Sequence, residues 1–221
     1  MTSILFDFGG TLDADGATWL ERFHAIYKEE GIEPPREHFD RAFYAADDGL
    51  PAIAGLSGLD LQETLRLQVQ AVLEELAPDR LALKERLADR FLEDCRAHFR
   101  RNIPLLERLR RRYRLGIVSN FYGNLDSVLR GEGLRDLFDA VSDSGVVGVE
   151  KPEPALFLHA LSALGAESSD CVMVGDSIPR DMKGAEGLRM RHALLTATPE
   201  KRCCADAWTL ASLGELEDRL S

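Results

Sequence analysis

Ser3-Ile4-Leu5-Phe6-Asp7-Phe8-Gly9-Gly10-Thr11-Leu12-Asp13 is the stretch on which the fold turns. An apolar run of strand length ends on an aspartate, and two glycines follow at once. Such a run reads as a buried strand that delivers one carboxylate to its C-terminal end. The glycines let the chain turn sharply and bring backbone N–H groups toward a ligand. In open α/β sheets that edge is where ligands bind. A plain β-turn after an ordinary strand fits the same residues, and other strand ends must decide between the two.

Those strand ends lie in the second half of the chain. Leu115-Gly116-Ile117-Val118-Ser119, Ala140-Val141-Ser142, Cys171-Val172-Met173-Val174-Gly175 and His192-Ala193-Leu194-Leu195 are short apolar runs, with Ala207-Trp208-Thr209 as a further candidate. Helical patterns over 105–112, 125–129, 155–164, 181–188 and 213–220 accompany them. Strands separated by helices predict βαβ units, hence an α/β fold with a Rossmann-like parallel sheet covered on both faces. Before them the pattern is purely helical. Trp19, Phe23, Ile26 and Tyr27 share one face, as do Phe39, Ala42, Phe43 and Ala46, and then Leu61, Leu65, Val69, Val72, Leu73 and Leu76 behind Asp60 as N-cap. A fourth helix is predicted over 81–99. The expected organisation is a core of residues 1–15 and 91–221 with a helical-bundle insert over 16–90.

Composition narrows the partners. With 27 Lys and Arg against 38 Asp and Glu the formal net charge is −11, which disfavours nucleic acid and anionic membrane. The arginines at 100–101 and 108–114 read as a solvated helix face and end. No signal peptide and no membrane span are expected. Cys95, Cys171, Cys203 and Cys204 show neither zinc spacing nor a disulfide framework. The expectation is a soluble cytoplasmic protein, monomer or homodimer, in a reducing setting.

Four segments then send chemistry to one sheet edge: Asp7, Ser119-Asn120, Lys151-Pro152, and Gly175-Asp176-Ser177 with Asp181 beyond. Right-handed crossovers place the C-terminal ends of parallel strands together. Asp7 and Asp176 repel each other there unless a cation lies between them, and oxygen ligands with room for water suit Mg²⁺. Lys151, the Ser119 hydroxyl and N–H groups near Gly9, Gly10 and Asn120 suit a phosphate.

Taken in order, Asp7-Phe8-Gly9-Gly10-Thr11-Leu12, Ser119-Asn120, Lys151-Pro152 and Gly175-Asp176-Ser177-Ile178-Pro179-Arg180-Asp181 resemble the four motifs of the haloacid dehalogenase-like hydrolase superfamily, and the insert resembles its helical cap. The resemblance implies that Asp7 is a nucleophile forming an aspartyl-phosphate. It implies that Gly10, Ser119, Asn120 and Lys151 hold the phosphoryl group, Lys151 also neutralising Asp7. Asp7, the Gly9 carbonyl and Asp176 would ligate Mg²⁺, supported by Asp181 and Ser177. The substrate would be a small phosphorylated metabolite.

One position departs from the pattern. Phosphatases of this family carry a second aspartate two residues after the nucleophile as general acid and base, and here that residue is Gly9. General acid catalysis contributes about 10²–10⁴-fold, so weak activity favouring good leaving groups is expected, with Gly9→Asp gaining on alkyl phosphates. Asp13 or Asp15 could substitute. Two alternatives stay open. A non-hydrolytic member would bind a phosphorylated ligand or a partner. A 2-haloacid dehalogenase needs no such acid, but relatives of that kind lack the fourth-motif acid kept here as Asp176. Candidate specificity residues are Arg22, His24 and Phe121, with Trp19, Phe23, Tyr27 and segment 49–58 beside them; Trp19, Phe23 and Tyr27 share a helical stripe, for which a role in the cap core is the favoured reading.

Overall fold

The structure is a computed structural model that describes residues 1–198, 203–204 and 206–220. The elements run β1 (Ser3–Phe6), α1 (Trp19–Glu29), α2 (Arg36–Gly49), α3 (Leu61–Leu76), α4 (Lys84–Arg110), β2 (Arg114–Ser119), α5 (Leu125–Gly131), β3 (Ala140–Asp143), α6 (Ser144–Val147), α7 (Pro154–Leu164), β4 (Cys171–Gly175), α8 (Lys183–Gly187), β5 (Arg191–Leu195), β6 (Trp208–Leu210) and α9 (Leu216–Leu220), with short 3₁₀ turns between.

The strands form one sheet in the order β3-β2-β1-β4-β5-β6. All pairings are parallel, with Phe6 beside Ile117 on one side and Val174 on the other. Successive side chains of a strand face opposite ways, and the core follows that rule. Ile4, Phe6, Ile117, Val172 and Val174 join the large cluster that includes α4 and α5. Leu5, Val118 and Met173 pack instead with Leu156, Phe157, Leu161 and Leu164 of α7. The sheet is therefore buried on both faces, as the continuous apolar strands required.

Between β1 and β2 stand only helices. α3 begins at a capping box: Asp60 accepts from the Glu63 N–H while Glu63 accepts from the Asp60 N–H. α4 is the long element. It crosses residue 90 without a break and carries Pro104 inside it, so the helices expected over 81–99 and 105–112 are largely one. Its buried face, from Leu87, Phe91 and Cys95 through Phe99 to Leu105 and Leu109, ties the helical block to the sheet layer. Cys203 and Cys204 form a disulfide between neighbours, which the sequence reading did not anticipate. Among the described residues no helix is long and apolar enough to cross a membrane.

Candidate active site

The first strand ends at Phe6, and the Asp7 N–H still donates to the Val174 carbonyl at 2.9 Å. The ladder thus fixes the Asp7 backbone at the C-terminal edge. Its carboxylate oxygen Oδ1 accepts from Ser119 Oγ at 2.9 Å and from Lys151 Nζ at 2.6 Å. Lys151 Nζ also donates to Asp181 Oδ1 at 2.7 Å. Burial opposes the Lys151 charge, but Asp181 and then Asp7 outweigh it and raise its pKa. The ammonium is thereby held between two carboxylates.

The loop carrying Lys151 is positioned by Asn120. Its Oδ1 accepts the Lys151 N–H at 2.7 Å, and its Nδ2 donates to the Lys151 carbonyl at 3.3 Å. The Lys151–Pro152 peptide is cis. The Asn120 side chain is therefore a clamp on the lysine loop, not a free phosphate donor. The loop after β2 is pinned from β3: the Asp143 carboxylate accepts from the N–H groups of Gly123, Leu125 and Gly145.

Asp176 follows β4. Its one side-chain hydrogen bond is from Thr11 Oγ at 3.3 Å. Burial, then Asp7 and Asp181, push its pKa well up. Asp181 sits behind, its Oδ2 accepting the Ser177 N–H at 3.0 Å and its Oδ1 taken by Lys151. A Cβ on Gly175 would strike the Asp181 carboxyl, which explains the glycine at the end of β4. Asp7, Asp176 and Asp181 each offer an oxygen within 4.8 Å of the others. This hard-oxygen set fits Mg²⁺. The single Lys151 ammonium is shared by Asp7 and Asp181, while Asp176 has no cationic partner of its own among the described residues.

Gly10 has φ +85°, and a Cβ there would lie 2.7 Å from Asp176. Its N–H, expected on phosphate, donates instead to Asp13 Oδ1 at 2.6 Å. Asp13 is fully buried. Its Oδ2 accepts from Trp19 Nε1 at 2.7 Å, Arg22 Nη1 at 2.8 Å and the Cys95 thiol at 3.4 Å. Arg22 also meets Asp94 at 2.9 Å and lies over the Phe91 ring. The expectation of Arg22 as a substrate contact is therefore corrected: it is the buried counter-ion of Asp13. The same geometry removes Asp13 as a replacement acid, since both its oxygens are occupied. Asp15 is likewise paired, with Arg101 at 2.8 Å.

These groups open onto a cavity of about 300 Å³ lined by Asp7, Gly9, Ser119, Asn120, Lys151, Asp176 and Ser177. Trp19 and Phe121 form its aromatic wall, and Phe43, Tyr44, Asp47, Tyr122 and Arg180 complete it. His24 packs edge-on against Phe39, away from the cavity lining, and segment 49–58 contributes nothing to it. Phe23 and Tyr27 are core residues. Asp47 and Tyr122 were missed in the sequence. They face each other across 75 residues of chain, Tyr122 donating a short hydrogen bond to Asp47 Oδ1, and no local spacing announces such a pair.

The family model for the haloacid dehalogenase-like hydrolases matches residues 1–188. A phosphoserine phosphatase of Thermus thermophilus is 31% identical over 202 residues, covering 83% of this chain and 76% of that protein. A haloacid dehalogenase-like hydrolase domain-containing protein 3 of Bos taurus is 42% identical over 91 residues, 41% of this chain and 36% of its own length. The chain spans from about a third to about half the length of the first curated relatives it matches. Among solved structures, a phosphatase of this family from Thermococcus onnurineus superposes with TM-score 0.59 at 25% identity, covering 100% and 98% of the two chains. A 2-haloacid dehalogenase of Pseudomonas syringae gives 0.55 at 25%, again over 100% and 98%. The chain belongs to the haloacid dehalogenase-like hydrolases.

Proposed function

We propose that the protein is a Mg²⁺-dependent phosphomonoesterase working through an aspartyl-phosphate at Asp7. The observation that carries this reading is the uncompensated Asp176 beside an Asp7 whose charge is already met by Lys151. Asp7 and Asp176, with the Gly9 carbonyl, would hold the ion, which supplies charge neutralisation for the incoming phosphate. Asp181, both of whose oxygens are taken, orients Lys151 from behind. Ser119 Oγ and Lys151 Nζ both meet Asp7 Oδ1, which leaves Oδ2 to attack phosphorus in line. The same two donors then face the transferred phosphoryl oxygens. Residues 16–90 act as a cap that closes over the small substrate and excludes water.

The assay is hydrolysis of p-nitrophenyl phosphate with Mg²⁺. Turnover that chelator and Asp7→Asn both abolish supports the reading; no turnover, or turnover untouched by Asp7→Asn, overturns it. Gly9 gives one reason to weigh a dehalogenase, which needs no acid for halide departure. Halide release from a 2-haloacid in the presence of chelator would favour that reading instead.

A further inference from the structure

We propose that Asp47, carried by α2 and held by Tyr122, is the general acid and base that this chain lacks at Gly9. The inference rests on the phosphatase reading and concerns how its leaving group is protonated.

Three carboxylates line the cavity: Asp7, Asp47 and Asp176. Asp7 is the nucleophile and Asp176 faces it at the ion site. Asp47 alone has no role in that scheme, and the two acids near Gly9 in sequence are closed off in ion pairs. Asp47 reaches the cavity from the helical block, and Tyr122 from the loop two residues after Asn120, so the pair forms part of the wall of the cavity onto which Asp7 opens. Tyr122 and Gln68 Nε2 both donate to Asp47 Oδ1, the latter at 3.3 Å. That fixes the carboxyl and leaves Oδ2 with no hydrogen bond among the described residues.

The surroundings make the carboxyl easier to protonate. Burial raises the Asp47 pKa from its ordinary value, and Asp48 adds to the rise. Tyr122, Arg180 and Gln68 pull the other way without cancelling it. Tyr122 itself is held neutral, its pKa raised well up by burial and by Asp47, so it acts as a fixed donor. These are the groups that meet Asp47 from α2, from α3, from the loop after β2 and from the turn after β4.

The step balances. As the bond from phosphorus to the leaving oxygen breaks and the Asp7 bond to phosphorus forms, the Asp47 proton passes to that oxygen, releasing an alcohol and leaving a carboxylate. Water then attacks the aspartyl-phosphate, its proton returns to Asp47, and Asp7 and inorganic phosphate are regenerated.

A leaving-group comparison tests this. Wild type, Asp47→Asn and Tyr122→Phe are assayed with Mg²⁺ on p-nitrophenyl phosphate, whose leaving group needs no proton, and on an alkyl phosphate. Asp47→Asn is expected to lose about 10²–10⁴-fold in kcat on the alkyl ester and only a few-fold on the aryl ester. The fall in alkyl-ester kcat at high pH should vanish with it. Tyr122→Phe should shift that fall along the pH axis while retaining the loss of rate at its alkaline end. Equal losses on both esters, or a change confined to KM, would overturn the assignment, and so would an unaltered alkyl rate. Wild type inert toward both esters would overturn the phosphatase reading itself, a result separate from these.

Discussion

Gly9 is not a left-handed glycine; its constraint is the Trp19 indole. A Cβ at position 9 would stand 3.2 Å from Trp19 Nε1, and that nitrogen is bonded to Asp13. The expected gain from Gly9→Asp therefore needs revision. A side chain there requires an indole hydrogen-bonded to a buried ion pair to give by a few tenths of an ångström, so we expect Gly9→Asp to lose about 1–3 kcal/mol of stability, as overpacking does, without gaining alkyl phosphatase activity. Urea midpoints and an alkyl phosphate assay check both halves. Arg22 makes a second case. Its pKa is raised: burial opposes the charge, but Asp13, Cys95 and Asp94 outweigh it. Removing one partner of a buried pair strands the other, at about 3–5 kcal/mol. Arg22→Met should lose that much by denaturant titration and leave KM near wild type at a permissive temperature. A large rise in KM alone would restore Arg22 as a substrate contact.

Single elements show what local sequence encodes. The Asp60 N-cap, the strand ending on Asp7 and the apolar run Cys171–Gly175 were legible because neighbours within a few residues determine them. α4 runs through the gap left between the two expected helices, although Pro104 lacks the N–H that a helix interior uses. Leu105, Leu106 and Leu109 nevertheless continue the buried stripe of Phe91, Cys95 and Phe99, and packing overrides the local penalty. The pairing of Asp47 with Tyr122 was illegible for the opposite reason, since only tertiary folding brings α2 to the loop after β2. It also has a pH signature. A carboxyl whose folded pKa lies above its unfolded value binds its proton more tightly when folded, so its contribution is full below the unfolded value of 3.8 and is lost as pH rises through the folded value. Asp47→Asn does not titrate. Its stability relative to wild type should therefore improve as pH rises above about 4, measured by chemical denaturation at matched ionic strength. A stability of the variant relative to wild type that falls with rising pH would contradict the raised pKa.

At the scale of the whole molecule, the motifs predicted which residues meet, and the sheet explains why they do. The order β3-β2-β1-β4-β5-β6 puts β1 between β2 and β4, so Asp7, Ser119 and Asp176 arrive at adjacent strand ends. Strand order was not readable from the chain, because it depends on how the layers pack. The sequence also showed residues without their allegiances: the Gly10 N–H looked like a phosphate donor, yet it donates to Asp13, and the Asn120 side chain holds the lysine loop. The cost of this convergence falls on Asp176, which is buried against two other acids. Like charges at one site raise the free energy of the folded state, and an ion that binds only that state lowers it by RT ln(1 + [ligand]/Kd), about 2.7 kcal/mol at a hundred times Kd. Two opposite effects of Asp176→Asn follow. Without metal the variant should melt above wild type at pH 7, because one member of the repelling set is gone. With saturating Mg²⁺ wild type should rise by several degrees while the variant stays where it was, and the order of melting temperatures should close or invert. Parallel Mg²⁺-induced shifts in both proteins would place the ion elsewhere than on Asp176.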